Sequence, residues 1–249
     1  MAPTDENFQT FETQEMAEGS GARVKRAFPS RTRDHLDPFV LLDEFYVEGG
    51  GGFPEHPHEG FEILTYMLEG AFEHADTTGA EETVHAGGAQ RITAGSGLKH
   101  SELPGSEGRN RGLQLWINLP REDKETDPDY ADAEADELPV QEVGKATVKT
   151  VVGDGSPLDL HTPAEYLVVS LPAKATFQWD VDADWNGFCY VADGRVSVAG
   201  DTLDAGEFGV TEDGEALTVT LTAEEDATVA LVSGRPHHEP ITQRGPVVL

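Results

Sequence analysis

Apolar runs in this chain do not sustain a helical period over any length. They come instead as short β-rich stretches: FEILTYMLEG (61–70), GAQRITAGSG (88–97), GLQLWINLP (112–120), EYLVVSLPA (165–173), FCYVADGRVSV (188–198) and EALTVTLTA (215–223). Each is rich in β-branched or aromatic residues and bounded by Gly, Pro, Asp or Asn, which stop a strand and turn the chain. Many short strands with glycine-rich turns predict an all-β chain of the jelly-roll sandwich or barrel type, with short helices only.

Two of these stretches share a rhythm. YMLEGAFEHA (66–75) and YVADGRVSVAG (190–200) each read as an apolar run, a Gly turn and a second strand, which suggests a duplicated barrel. Between them, REDKETDPDYADAEADELP (121–139) is charged and nearly free of large apolar residues. It reads as an acidic linker with at most one helical turn. The expected division is a first barrel over 1–120, the linker over 121–139, and a second barrel over 140–249.

Acidity is the other dominant feature. The 249 residues carry 47 Asp plus Glu against 17 Lys plus Arg, a formal net charge of −30. Such a field repels phosphate backbones and argues against direct nucleic-acid binding. It also strains a compact state by self-repulsion unless salt screens it, so a halophilic cytosol is the expected setting. Cys189 is the lone cysteine, which excludes an intrachain disulfide and fits a reducing, cytoplasmic interior. It reads as a buried small hydrophobe. The N-terminal residues MAPTDENFQT lack the basic start and apolar run of a signal peptide, and no apolar stretch approaches the roughly 20 residues that span a bilayer.

Candidate chemistry lies in two doublets. In FPEHPHEGFE, His56 and His58 are two residues apart, and in ITAGSGLKHSELPG, His100 and Glu102 repeat that spacing. In a strand, residues i and i+2 point to one face, so each doublet aims two ligand types at one point. Three imidazoles and a carboxylate suit a first-row metal with open positions. The related arrangement of two histidines and a carboxylate marks non-haem Fe(II) oxygenases, and catalytic zinc takes His and Glu as well.

Of the remaining histidines, His74 and His85 lie between the ligand strands and either line the cavity or, the preferred reading, take turn or surface positions; His35 and His161 read as surface or capping residues. His237 and His238 are adjacent and so point apart. No histidine lies between 162 and 236, leaving the second barrel without such a set. Trp116 reads as core, and Trp179 and Trp185 as packing or rim residues of the second barrel.

The segments HPHEGFE, ITAGSGLKHSE and GLQLWINLP, in this order and at this spacing, resemble the pirin family of the cupin superfamily. So do LDPFVLLDEF (36–45), EGSGARVKR upstream, DPDYAD in the linker, and GRPHHEPITQRGPVVL at the C-terminus. The resemblance is strong over 18–120 and weaker over 121–230. It implies a bicupin, two cupin-type β-barrels packed together, with one metal in the N-terminal barrel. Its ligands would be His56, His58, His100 and Glu102. Iron, Fe(II), is the expected metal, with Zn, Mn, Ni or Cu as alternatives. Glu62 also completes the general cupin pattern HxH-x3-E. The resemblance assigns the ligand carboxylate to Glu102, so Glu62 is expected to orient a ligand imidazole or handle a proton. Glu59 stands where the family commonly has Arg.

The implied activity is a quercetin 2,3-dioxygenase, acting on a small aromatic or enolisable substrate and dioxygen, with Glu102 and Glu62 as the catalytic carboxylates. The alternative implied by the same resemblance is a metal- or redox-responsive regulator that works through a protein partner. A monomer without membrane attachment is expected in either case.

Overall fold

In the computed structural model, which describes residues 8–212 and 214–249, the chain is built almost wholly of β-strands. The only helical turn among the described residues is the 3-10 turn Arg121–Asp123. No helix among them is long and apolar enough to cross a membrane. Every stretch expected to form strands does so.

The chain divides into two compact units whose sequences interleave. One comprises 14–138, 157–162 and 237–249; the other takes 8–13, 139–156 and 163–236. This corrects the contiguous division expected at 121–139. Phe8–Glu12 pairs antiparallel with Glu207–Thr211, placing the N-terminal strand in the second unit. Its anchor is Phe8, which is buried in that unit's core and whose ring lies over Gly209. The supposed linker also forms structure. Asp129–Ala133 pairs with Ala89–Thr93 as an edge strand, so an edge position accommodates its charged residues while Ala133 is buried.

In the first unit, the strand Phe39–His58 ties two sheets together. Its first part pairs with Asn110–Asn118 and Ser20–Phe28. Beyond the glycines at 49–52 it pairs with Leu98–Pro104. Leu98–Pro104 continues to Ala71–Asp76 and Glu81–His85. Two apolar clusters fill the unit. One gathers Val40, Leu41, Phe61, Ile63, Ile92, Leu98 and Trp116. The other gathers Val24, Phe45, Val47, Met67, Phe72 and Val84, with Phe45 stacked on Phe72 at 4.7 Å. Each fully buried aromatic ring of this kind contributes roughly 1.5–3 kcal/mol.

The second unit has a seven-stranded and a four-stranded sheet. Their core includes Trp179, Val191, Val196, Leu221 and Leu231. Cys189 is buried there and its thiol is pushed up to about 12, so it packs as a small hydrophobe. Trp185 is partly buried against the same core.

The repeated Gly turn has a structural meaning in both units. Phe61–Glu69 and Ala71–Asp76 flank Gly70 without pairing, because each belongs to a different sheet. Asn186–Asp193 and Arg195–Val198 flank Gly194 in the same manner. Gly70 and Gly194 are corners with φ of 74° and 79°. A Cβ would fall 2.5 Å from Asn110 Oδ1 at the first and 2.2 Å from Asp226 O at the second. Only glycine fits either corner.

Candidate metal centre

Strand register assembles the site. His56 lies opposite His100, and His58 is two residues further along the same strand. The ring centroids of His56, His58 and His100 are 4.4–4.9 Å apart. One ring nitrogen from each lies within 4.8 Å of the others. Glu102 follows His100 on the same face and lies opposite Phe53 on one side and His74 on the other.

The histidines have defined partners. His56 Nδ1 is 2.8 Å from the carbonyl of Pro54, and His58 Nδ1 is 3.4 Å from that of Pro246. A carbonyl only accepts, so both rings donate from Nδ1 and present the Nε2 lone pair. His56 Nε2 and His100 Nε2 face each other at 3.1 Å. Two ligand nitrogens bound at a right angle, with metal bonds of about 2.1 Å, would be about 3 Å apart. The His56–His100 separation is that of two ligands on one divalent ion, and His58 offers a ring nitrogen within 4.8 Å of both. Burial holds them neutral: His58 is lowered to about 3 by desolvation and by His56, and His100 is held well below its ordinary value by desolvation and its histidine neighbours. Neutral imidazole is the form that binds a metal.

Glu102 is 1% exposed and held at both oxygens. Gln90 Nε2 donates to Oε1 at 2.6 Å and Gln114 Nε2 to Oε2 at 2.9 Å. Burial raises its carboxyl to about 7, against the pull of these two amides. The glutamines are themselves held: Tyr130 Oη donates to Gln90 Oε1 at 3.2 Å, and Trp116 Nε1 to Gln114 Oε1 at 3.3 Å. The sequence assigns no site role to Gln90, Gln114 or Tyr130, and Trp116 reads there only as core. The signal for the glutamines is a polar residue set among apolar ones in each strand, Gln114 between Leu113 and Leu115 and Gln90 next to Ala89.

A cavity of about 600 Å³ opens onto the site, with His56, His58 and Glu102 in its wall. Leu41, Phe45, Phe53 and Trp116 supply its apolar surface. Trp116 thus serves the core and the cavity together, stacked on Phe61 at 4.3 Å with its ring 4.9 Å from that of His58. Arg26 and Asp43 also line the cavity, paired through Nε at 2.9 Å and Nη2 at 2.6 Å. The C-terminal residues Gln243, Gly245 and Pro246 complete the wall.

Glu62 lies elsewhere. Its neighbours Phe61 and Ile63 face the apolar cluster, so strand alternation turns the carboxylate to the other side. There it accepts from Thr93 Oγ1 at 2.9 Å and His161 N at 3.0 Å. It borders neither the cavity nor the histidine cluster.

His74, expected at a turn or the surface, is 3% exposed. It stacks on Tyr130 with centroids 4.4 Å apart and bonds Asp76 through Nε2 at 3.0 Å. Strand register places it opposite Glu102. His85 and His161 are exposed and pair with Glu134 and Asp123. His35 is exposed. His237 reaches Thr162 Oγ1 at 2.9 Å and Asn118 at 3.4 Å, well separated in role from His238.

Comparison with known proteins matches both halves of the chain. The family model described as Pirin covers residues 21–117, and that described as Pirin C-terminal cupin domain covers 166–249. A pirin-like protein of Caulobacter vibrioides is 41% identical over 254 residues, covering 95% of this chain and 89% of its own length. Pirin of Homo sapiens is 34% identical over 246 residues, with 95% and 85% covered. Among solved structures, a quercetin 2,3-dioxygenase from Acinetobacter baumannii superposes with a TM-score of 0.89 at 26% identity, covering 97% of this chain and 90% of its own. A bacterial pirin from Escherichia coli in complex with nickel(II) gives 0.77 at 25% identity, with 92% and 99% covered.

Proposed function

The chain belongs to the pirin family of cupin proteins, and from that premise we propose that it is a metal-dependent dioxygenase of the quercetin 2,3-dioxygenase type. The observation that carries this reading is the apolar cavity of about 600 Å³ with His56, His58 and Glu102 in its wall. That volume is in the range of small-molecule sites, about 300–1,000 Å³, and its aromatic walls suit a flat polyphenol. The likeness to the Acinetobacter baumannii dioxygenase supports the same substrate class.

His56, His58, His100 and Glu102 are the residues that would hold the ion, with iron proposed as Fe(II). When bound, such an ion supplies Lewis-acid polarisation and one coordination sphere for substrate and dioxygen. The chain itself does the rest. Trp116, Phe45 and Phe53 exclude water and orient the flat substrate. Glu102, in the cavity wall, is placed to accept a substrate hydroxyl proton. Gln90 and Gln114 fix the direction of that carboxylate. Arg26 and Asp43 give the cavity a polar patch that can read a substituent of the substrate.

The same reading places the protein as a monomer in a salt-rich cytoplasm. Of the described acidic side chains only Asp43, Glu44, Glu62 and Glu102 are buried, leaving the others to meet solvent at least in part. The test is reconstitution with Fe(II), and in parallel with Ni, Zn, Mn and Cu. Oxygen-dependent loss of quercetin absorbance with carbon monoxide release is expected. If loaded protein bleaches quercetin no faster than free iron at the same salt, the dioxygenase reading falls. A metal-responsive regulator acting through a partner protein then becomes the better account.

A further inference from the structure

Two of the histidines around the candidate centre bond outward to carbonyls, at Pro54 and Pro246. His100 does not. Its Nδ1 is buried and has no hydrogen-bond partner. A metal-bound imidazole nearly always donates its second nitrogen to something, and a buried N–H without a partner costs about 1–3 kcal/mol. Only one other histidine nitrogen in the chain shares this condition among the described residues: Nδ1 of His74, also buried and also unpartnered.

The two belong on one sheet face. Asp76 lies opposite His100 and His74 lies opposite Glu102, on neighbouring strands. The rings of His74 and His100 have centroids 5.5 Å apart, and a ring nitrogen of His74 lies within 4.8 Å of one on His100. His74 is itself held in place. Asp76 Oδ2 takes a bond from its Nε2 at 3.0 Å, and Asp76 is in turn fixed by the amides of Thr78, Gly79 and Ala80. Tyr130 stacks on its ring with only 16° between the planes.

That bond decides the tautomer. With Asp76 ionised, Nε2 of a neutral His74 carries the hydrogen, so Nδ1 is a bare acceptor. If His100 gives its Nε2 to a metal, its Nδ1 carries the hydrogen and is a bare donor. The two unpartnered nitrogens are therefore complementary.

We propose that His74 is the positioning residue for the metal ligand His100. His74 Nδ1 accepts from His100 Nδ1–H, directly or through one water, and Asp76 and Tyr130 fix His74 for that task. The result is a chain from carboxylate to imidazole to imidazole, which orients His100 and raises its basicity as a ligand. The inference rests on the reading that the histidine cluster holds a divalent metal, and its test separates the two.

The probe is Co(II), added to the whole chain at high KCl. Wild-type protein should show three hyperfine-shifted, slowly exchanging ring N–H proton signals, one for each ligand histidine. His74→Phe keeps a ring for Tyr130 to stack on but removes the acceptor. It should lose or broaden one of the three signals and bind Co(II) about 10–100-fold more weakly, the usual effect of removing such a partner. His74→Asn puts an amide oxygen near the place of Nδ1 and should recover most of the affinity, even though it loses the stacked ring. A purely packing role predicts the reverse order, with Phe tolerated and Asn not. Three unchanged signals and unchanged affinity in His74→Phe would overturn the proposal while leaving the metal reading intact. Wild-type protein that takes up no Co(II) would overturn both.

Discussion

Lys124 is the residue whose replacement most directly tests how the site is held together. Its ammonium is half-buried and donates to Gly60 O at 2.8 Å, Asn118 Oδ1 at 2.7 Å and Val248 O at 3.0 Å. Burial pulls it down to about 8, so it still carries its charge at pH 7. These bonds tie the C-terminal strand Val247–Val248 to the turn directly after His58. That strand is preceded by Pro246, whose carbonyl accepts from His58 and which lines the cavity. Lys124→Met keeps the stem and removes the donors. Three bonds to a charged group are worth about 1.5–3 kcal/mol each, or roughly 4.5–9 kcal/mol together. Against this, the variant no longer desolvates an ammonium, a relief of several kcal/mol. The expected net loss is about 2–4 kcal/mol, a fall in midpoint of roughly 4–16 °C for a chain of this size. Urea unfolding followed by far-UV circular dichroism, at constant molar KCl, measures it. The metal affinity of the variant should also fall, because the partner of His58 is loosened. A change below about 0.5 kcal/mol, with metal binding intact, would refute the idea that this ammonium anchors the C-terminal wall.

Elemental analysis of anaerobically purified protein should give close to one metal per chain, with sharp losses in His58→Ala and His100→Ala; metal retained after all four proposed ligands are replaced would disprove the assignment. Glu102→Gln should lower turnover by about 10²–10⁴-fold with a smaller effect on substrate binding, since a proton acceptor is removed and the cavity wall kept. Glu62→Gln should instead affect stability and leave turnover within a few-fold of wild type, because its bonds go to Thr93 and His161; a matching loss of turnover would restore it to the reaction. Thermal midpoints should rise steeply from low to molar KCl, as the Debye length shrinks from about 30 Å at 0.01 M to about 3 Å at 1 M; a flat profile across that range would remove the argument for a salt-rich setting.

Local chemistry alone determined much of this protein. Strand-forming runs and the turn residues between them specify an all-β chain, because backbone preference and alternation act over a few residues. The spacing of two in His56–His58 and His100–Glu102 specifies paired ligand types, because a strand repeats its facing every second residue. What those residues could not carry was register and exchange between distant segments. His56 meets His100 only because their strands pair at that register. Glu62 matches a motif yet faces away, since the parity set by Phe61 and Ile63 is decided by which face is buried. His74 reads as a turn or surface residue from its own segment, yet it is buried, with Tyr130, more than fifty positions later, laid over it by an edge strand that reads as a charged linker. The strand Phe8–Glu12 likewise joins a sheet built from residues about two hundred positions on. Such contacts depend on the summed burial of two remote segments, a quantity absent from either segment by itself, and so only the tertiary structure decided them.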